Sequence, residues 1–73
     1  MNDKTIEQVY FFIATYDKNY GRSPSMREIA RGTFLSLGNV VRYLDKLEMQ
    51  GLISREPGIA RSIRLLDKTP DSR

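Results

Sequence analysis

Apolar residues recur at helical spacing in several stretches of the chain, and the clearest pattern runs from Leu37 to Gln50. At about 100° per residue, Val40, Leu44 and Leu47 fall within a narrow arc that Leu37 and Val41 widen, so this side must be buried. Asn39, Arg42 and Lys46 lie on the opposite side. They are hydrogen-bond donors with the reach to touch base edges or phosphates, and only Asp45 and Glu48 nearby oppose their charge. The solvated face of an ordinary core helix would look much the same in isolation, so the flanking segments decide its meaning.

The pattern upstream predicts a first helix over Thr5 to Tyr16, with Ile6, Val9, Tyr10, Ile13 and Tyr16 at i, i+3, i+4 spacing and Thr5 and Gln8 spaced as a capping box. Phe12 borders this stripe, and Phe11 falls outside it. Asp17 to Ser23 reads as a linker, with Gly21 free to take positive φ and Tyr20 folding back onto the core. Ser25 and Glu28 form a second capping box, opening a short helix from Met26 to Arg31 that buries Ile29 and Ala30. Gly32 to Leu35 is a tight turn in which Phe34 or Leu35 plugs the corner, and Ser36 stands at the N-cap position of the long helix. After Gly51 as C-cap, Leu52 to Arg55 and Ile59 to Leu66 read as two strands of a hairpin, with Glu56, Pro57 and Gly58 supplying the turn. Asp67 to Arg73 is polar and aperiodic, a frayed tail or truncated linker.

A short helix, a turn containing Gly, a longer helix with one polar face and then a hairpin is a winged helix-turn-helix pattern, an α+β but mainly α fold. Its expected extent is residues 1–66, with 67–73 as the tail. At 73 residues there is room for one domain only, burying about 60% of the surface that the unfolded chain exposes. No apolar run approaches a membrane span, and MNDKTIEQ lacks the basic start and apolar block of a secretory signal, so a cytoplasmic protein without membrane attachment is expected. The absence of cysteine and histidine removes disulfides, thiolate chemistry, the usual zinc sites and the commonest general base. Neither a pair of carboxylates, a nucleophile–base set nor a metal cluster is visible, so the reading is not an enzyme, with no cofactor, no metal and no small-molecule ligand.

The net charge of +3 points modestly to an anionic partner, and its distribution says more than the total. Eight basic and four acidic residues fall between Arg22 and Arg64, concentrating the excess around the polar helix. Asn pairs bidentately with adenine and Arg with guanine, which makes Asn39 and Arg42 candidates for base contacts. Gly38 would let the start of the helix approach a groove closely. Tyr43 lies on the edge of the polar arc, where packing at the border of the core and a phosphate contact are both open. The N-terminus of the short helix, with Ser25 and Arg27, suits a phosphate oxygen, although Ser25 also has a sufficient role as a cap alone. Arg22, Arg27, Lys46, Arg55 and Arg61 are assigned to phosphates, the last two from the wing, while Arg31 and Arg64 are left as solvated.

The segments Ser23-Pro-Ser-Met-Arg-Glu-Ile-Ala30, Leu44-Asp-Lys-Leu-Glu48, Gly51-Leu-Ile53 and Gly58-Ile-Ala-Arg-Ser-Ile-Arg-Leu-Leu66 resemble the N-terminal winged helix-turn-helix domain of LexA-type SOS repressors. The resemblance covers about Ile6 to Leu66. It implies a sequence-specific regulator of double-stranded DNA, of bacterial or phage type, whose third helix enters the major groove and whose wing contacts the backbone. By position, it marks Ser36, Gly38, Asn39, Arg42 and Tyr43 as nearest the bases or groove walls. Two departures accompany it. Leu35 to Leu44 is one residue shorter than is usual, around Leu37 to Asn39, so operator specificity does not carry over. The chain also stops at Arg73, without the Ser-Lys self-cleaving domain through which full repressors dimerise, so an excised fragment or a free-standing regulator is expected, a monomer alone that pairs on DNA or through an absent part. The competing reading is a winged helix used as a protein-interaction module, favoured by Phe11, Tyr43 and the neutralising Asp45 and Glu48.

Overall fold

Three helices and a two-stranded antiparallel sheet make up the computed structural model, which describes residues 3–66: α1 (Asp3–Tyr20), α2 (Met26–Thr33), α3 (Leu37–Met49), β1 (Ile53–Ser54) and β2 (Arg64–Leu65). The fold is the expected winged helix-turn-helix with a hairpin wing. The expected tail, 67–73, lies outside the described residues.

Helix α1 supplies Ile6, Val9 and Ile13 to the core, and all three are buried. It is longer than the periodicity predicts at both ends. It begins by Asp3, so Thr5 lies inside the helix and the expected Thr5–Gln8 box does not open it. It also continues through Asp17 to Tyr20, residues read from the sequence as linker. The cause is an aromatic ladder at i, i+4 spacing: the Phe12 and Tyr16 rings lie 5.9 Å apart and the Tyr16 and Tyr20 rings 4.4 Å apart. Tyr20 therefore stacks along its own helix and stays largely exposed rather than folding back onto the core. Gly21 then takes φ 71°, and its amide closes the last turn on the Asp17 carbonyl at 2.8 Å.

Ser25 and Glu28 make the capping box read from their spacing: the Ser25 hydroxyl accepts from the Glu28 amide at 3.1 Å, and the Ser25 amide donates to the Glu28 carboxylate at 2.8 Å. Helix α2 runs two residues past the predicted Arg31, so Gly32 sits in its last turn rather than in the connecting one. A Cβ on Gly32 would lie 2.2 Å from the Phe12 ring, and the missing side chain is what lets α1 and α2 approach each other. Phe34 closes the helix in the left-handed region, φ 61°, and is 93% exposed. Leu35 is the residue that packs against the core at this corner.

Ser36 caps α3 as expected, its hydroxyl accepting from the Asn39 amide at 3.2 Å. Val40, Leu44 and Leu47 are fully buried and meet Ile29, Ile13 and Val9 in one core. Leu37, at the edge of the predicted stripe, remains partly exposed. Helix α3 ends on Gln50 as C-cap with Gly51 at φ 78°, the Gly51 amide bonding to the Glu48 carbonyl and the Leu52 amide to the Leu47 carbonyl. That pair of bonds is a Schellman motif, which reverses the chain toward the sheet.

The strands are much shorter than the eight-residue run expected of the second one. Only Ile53 with Leu65 and Ser54 with Arg64 pair. Ile59 to Ser62 form a loop instead, with Arg61 itself left-handed at φ 57°. Ile53 and Ile63 are buried against the helices, and this burial lets so small a sheet persist.

Candidate nucleic-acid interface

The N-terminal half of α3 is set on the surface by the burial of its opposite side. Ser36, Gly38, Asn39 and Arg42 are all exposed, and a Cβ added to Gly38 would meet nothing within 4 Å. The first turn contains no acidic residue, so the positive end of the helix dipole stands unopposed there. Tyr43 is half-buried and packs against the core, which places it on the border rather than on the open face. Lys46 is half-buried one turn beyond Arg42. Neither Arg42 nor Lys46 has a carboxylate partner among the described residues.

The capped N-terminus of helix α2 faces a cleft shared with Leu37 and Leu44 of α3 and with the wing. Ser25, Met26, Arg27, Leu37, Leu44, Arg55 and the wing loop from Glu56 to Ile63 line a cleft of about 420 Å³. The start of α2, the start of α3 and the wing thus border one concave surface. Arg27 and Arg22 are exposed and unpaired among the described residues. The Ser25 hydroxyl is engaged as the cap acceptor, so the capping role read for it is realised.

The wing arginines are placed otherwise than their position in the sequence suggests. Arg61 turns inward: its guanidinium donates to the Ser23 carbonyl at 3.1 Å and to the Glu28 carboxylate at 2.9 Å, and lies 3.5 Å from the Tyr16 hydroxyl. It ties the wing loop to α1 and α2 instead of standing out at the tip. The Arg61 guanidinium, and after it the Ser25 amide, draw the Glu28 carboxyl down from an ordinary 4.5 to about 2, and the Arg61 pKa is raised in return. Arg55 donates from Nη2 to Asp45 Oδ1 and from Nε to Glu48 Oε1, the second at 3.2 Å. Its side chain is only 14% exposed. No sequence signal marked either clamp, because each joins residues that are not neighbours in any one element. In hindsight, Asp45 and Glu48 at i, i+3 spacing formed an acidic edge in need of a counter-charge.

Among the described residues no group of three or more His, Cys, Asp or Glu is arranged to hold a metal, and no helix is long and apolar enough to cross a membrane. Away from α3, the exposed Phe11 and Phe34 line one groove with Phe12 and Gly32.

No family model matches the chain. It is similar to curated LexA repressors. One from Koribacter versatilis is 40% identical over 60 residues, covering 81% of this chain and 29% of that protein. One from Clostridium kluyveri is 40% identical over 63 residues, covering 85% and 31%. One from Clostridium botulinum is 38% identical over 73 aligned positions, covering 94% and 36%. The chain spans about a third of the length of the curated relatives it matches. The resemblance to LexA-type repressors read from the sequence motifs is therefore borne out over most of the chain.

Proposed function

We propose that this winged helix-turn-helix is a double-stranded DNA-binding domain of a transcriptional repressor, reading the major groove with α3 in a sequence-specific way. The observation that carries the reading is the N-terminal half of α3, where Asn39 and Arg42 are exposed and Arg42 is unpaired, beside a Gly38 that leaves room for a groove wall. Similarity to LexA repressors supports it. In this reading Ser36, Gly38, Asn39 and Arg42 meet bases or groove walls, with Tyr43 at the edge. Arg22, Ser25, Arg27 and Lys46 meet phosphates and add affinity without sequence information. The wing borders the backbone, held in place by Arg55 and Arg61. One domain offers few phosphate contacts, so two copies on two half-sites are needed for useful affinity at physiological salt.

Selection of bound sequences from random duplexes supplies the cognate site. On it, Arg42→Ala and Asn39→Ala each lose roughly 5- to 150-fold in affinity, the equivalent of about 1–3 kcal/mol per bidentate base contact, with much smaller losses on a scrambled duplex. Lys46→Ala weakens both duplexes alike and flattens the salt dependence by about one phosphate. Equal losses on both duplexes for all three variants would sink the assignment of specific contacts.

One observation favours a second reading, as a protein-docking module: Phe11 is 71% exposed and shares its groove with the still more exposed Phe34. Titration with mixed genomic duplex at low salt separates the two. Failure to bind even non-specifically would favour protein docking.

A further inference from the structure

Helix α3 carries two acids on the flank of the face that would meet DNA. Asp45 follows Arg42 by three residues, the spacing at which side chains on a helix come within reach of each other. Left alone, Asp45 would recruit the Arg42 guanidinium, and with Glu48 it would turn negative charge toward the phosphates. Neither happens in this structure. Both carboxylates are bonded to Arg55, which leaves β1 beside that flank, and Arg42 keeps no acidic partner among the described residues. The exposures show which group is seated and which remain open: the Arg55 side chain is 14% exposed, against 58% for Asp45 and 36% for Glu48. Arg55 is seated against the protein, and its guanidinium is engaged by the two acids rather than standing free in solvent.

We infer that Arg55 is a positioning residue for DNA recognition, which holds Asp45 off Arg42, neutralises Glu48 on the same flank, and thereby keeps the reading guanidinium free. This rests on the DNA-binding reading of α3. The clamp has a second effect, because its two ends lie on α3 and just after β1. It therefore fixes the wing to the reading helix, so that both address the duplex as one rigid surface. A phosphate ligand at position 55 would have no use for the acids. A positioning residue requires them, and that difference is what an experiment can read.

The test compares three proteins on the cognate duplex over a salt series: the wild-type chain, Arg55→Met, and Arg55→Met combined with Asp45→Asn and Glu48→Gln. Arg55→Met loses about 10-fold in affinity, as an unpaired Asp45 within one turn of Arg42, with Glu48 a further turn along, would dictate at surface dielectric. The triple variant, which has no acids left to cover, returns to within about threefold of wild type and keeps the wild-type salt slope. A triple variant that stays 10-fold weak would show that pairing the acids is not what Arg55 contributes, and one whose salt slope also falls by about one phosphate would show that Arg55 touches DNA itself; either result overturns the inference. The triple variant carries no unpaired charge at this site, so it remains decisive even where Arg55→Met alone melts below the assay temperature. A wild-type chain that binds no duplex would instead defeat the underlying reading, an outcome separate from failed rescue.

Discussion

Arg42 and Arg61 are the same residue with the same charge, both exposed enough to reach a ligand, yet the fold uses them in opposite ways. Arg42 projects from α3 with its guanidinium uncommitted, while Arg61 in the wing loop is bound to the Glu28 carboxylate, the Ser23 carbonyl and the Tyr16 hydroxyl. Arg55 sides with Arg61, and Lys46 with Arg42. The difference lies in what surrounds each cation. The outer face of α3 is a single helix surface whose acids Asp45 and Glu48 are already paired with Arg55, so Arg42 and Lys46 there find no carboxylate partner among the described residues. The wing is a two-pair sheet with little burial of its own, and Arg55 and Arg61 are spent fastening it to the helices. On the proposed reading, basic charge in this chain has two uses, recognition on α3 and assembly at the wing, and a count of Lys and Arg merges them.

That contrast is broken most directly by removing one cation from each group. Arg42→Met leaves the melting temperature close to that of wild type, since surface changes away from packed features shift stability by no more than about 0.5 kcal/mol, and its effect appears in DNA affinity. Arg61→Met lowers the melting temperature and loosens the wing, seen as faster amide exchange at Ile53 and Leu65, the register pair of the sheet. A melting temperature lowered as much by Arg42→Met as by Arg61→Met would erase the distinction. Next in size is the acid response. The folded pKa of Glu28, about 2, lies below its ordinary 4.5, so its contribution is complete above pH 4.5 and is lost as pH falls from there toward 2. Glu28→Gln removes that segment of the stability–pH curve and leaves the chain less stable at neutral pH, and Arg61→Met does the same. A wild-type curve that stays flat from pH 4.5 to 2 relative to Glu28→Gln would show that the ion pair does not support the fold.

Local signals in the sequence were enough wherever the physical cause was local. The Val40, Leu44, Leu47 stripe, the Ser25–Glu28 box, the Ser36 cap and the Gly51 terminus each depend on residues within one turn, and all appear as read. Of two departures, one is decided by a tertiary neighbour and one by a local aromatic pair that the polar residues between it conceal. Gly32 reads as a turn residue by type, but its place is set by the Phe12 ring packed over it. The end of α1 reads as linker because Asp17, Lys18 and Asn19 are polar, yet the Tyr16–Tyr20 stack carries the helix across them. Side-chain commitment was the least legible property. That Arg55 and Arg61 would be neutralised within the protein follows from where Asp45, Glu48 and Glu28 come to rest after folding, and no spacing in the chain encodes it. The candidate reading face was legible for the converse reason: exposure on α3 follows from the burial of its other side.

The mildest substitution sharpens the comparison further, because stability and recognition should move in opposite directions. Gly38 is the second residue of α3, two past the Ser36 cap, and an added methyl would meet nothing within 4 Å. Gly38→Ala therefore removes backbone entropy from the unfolded chain without introducing a clash and stabilises the helix, by at most about 1 kcal/mol. On DNA the same methyl points from the exposed first turn into the space that the groove wall would fill. Affinity for the cognate duplex falls while the melting temperature rises, and a larger side chain such as Gly38→Val deepens the loss in binding. The result that would count against the first turn as the reading element is equally definite. A Gly38→Ala chain that melts higher and binds as tightly as wild type would leave that methyl in open solvent in the complex, and recognition would then have to be sought further along α3, from Arg42 onward.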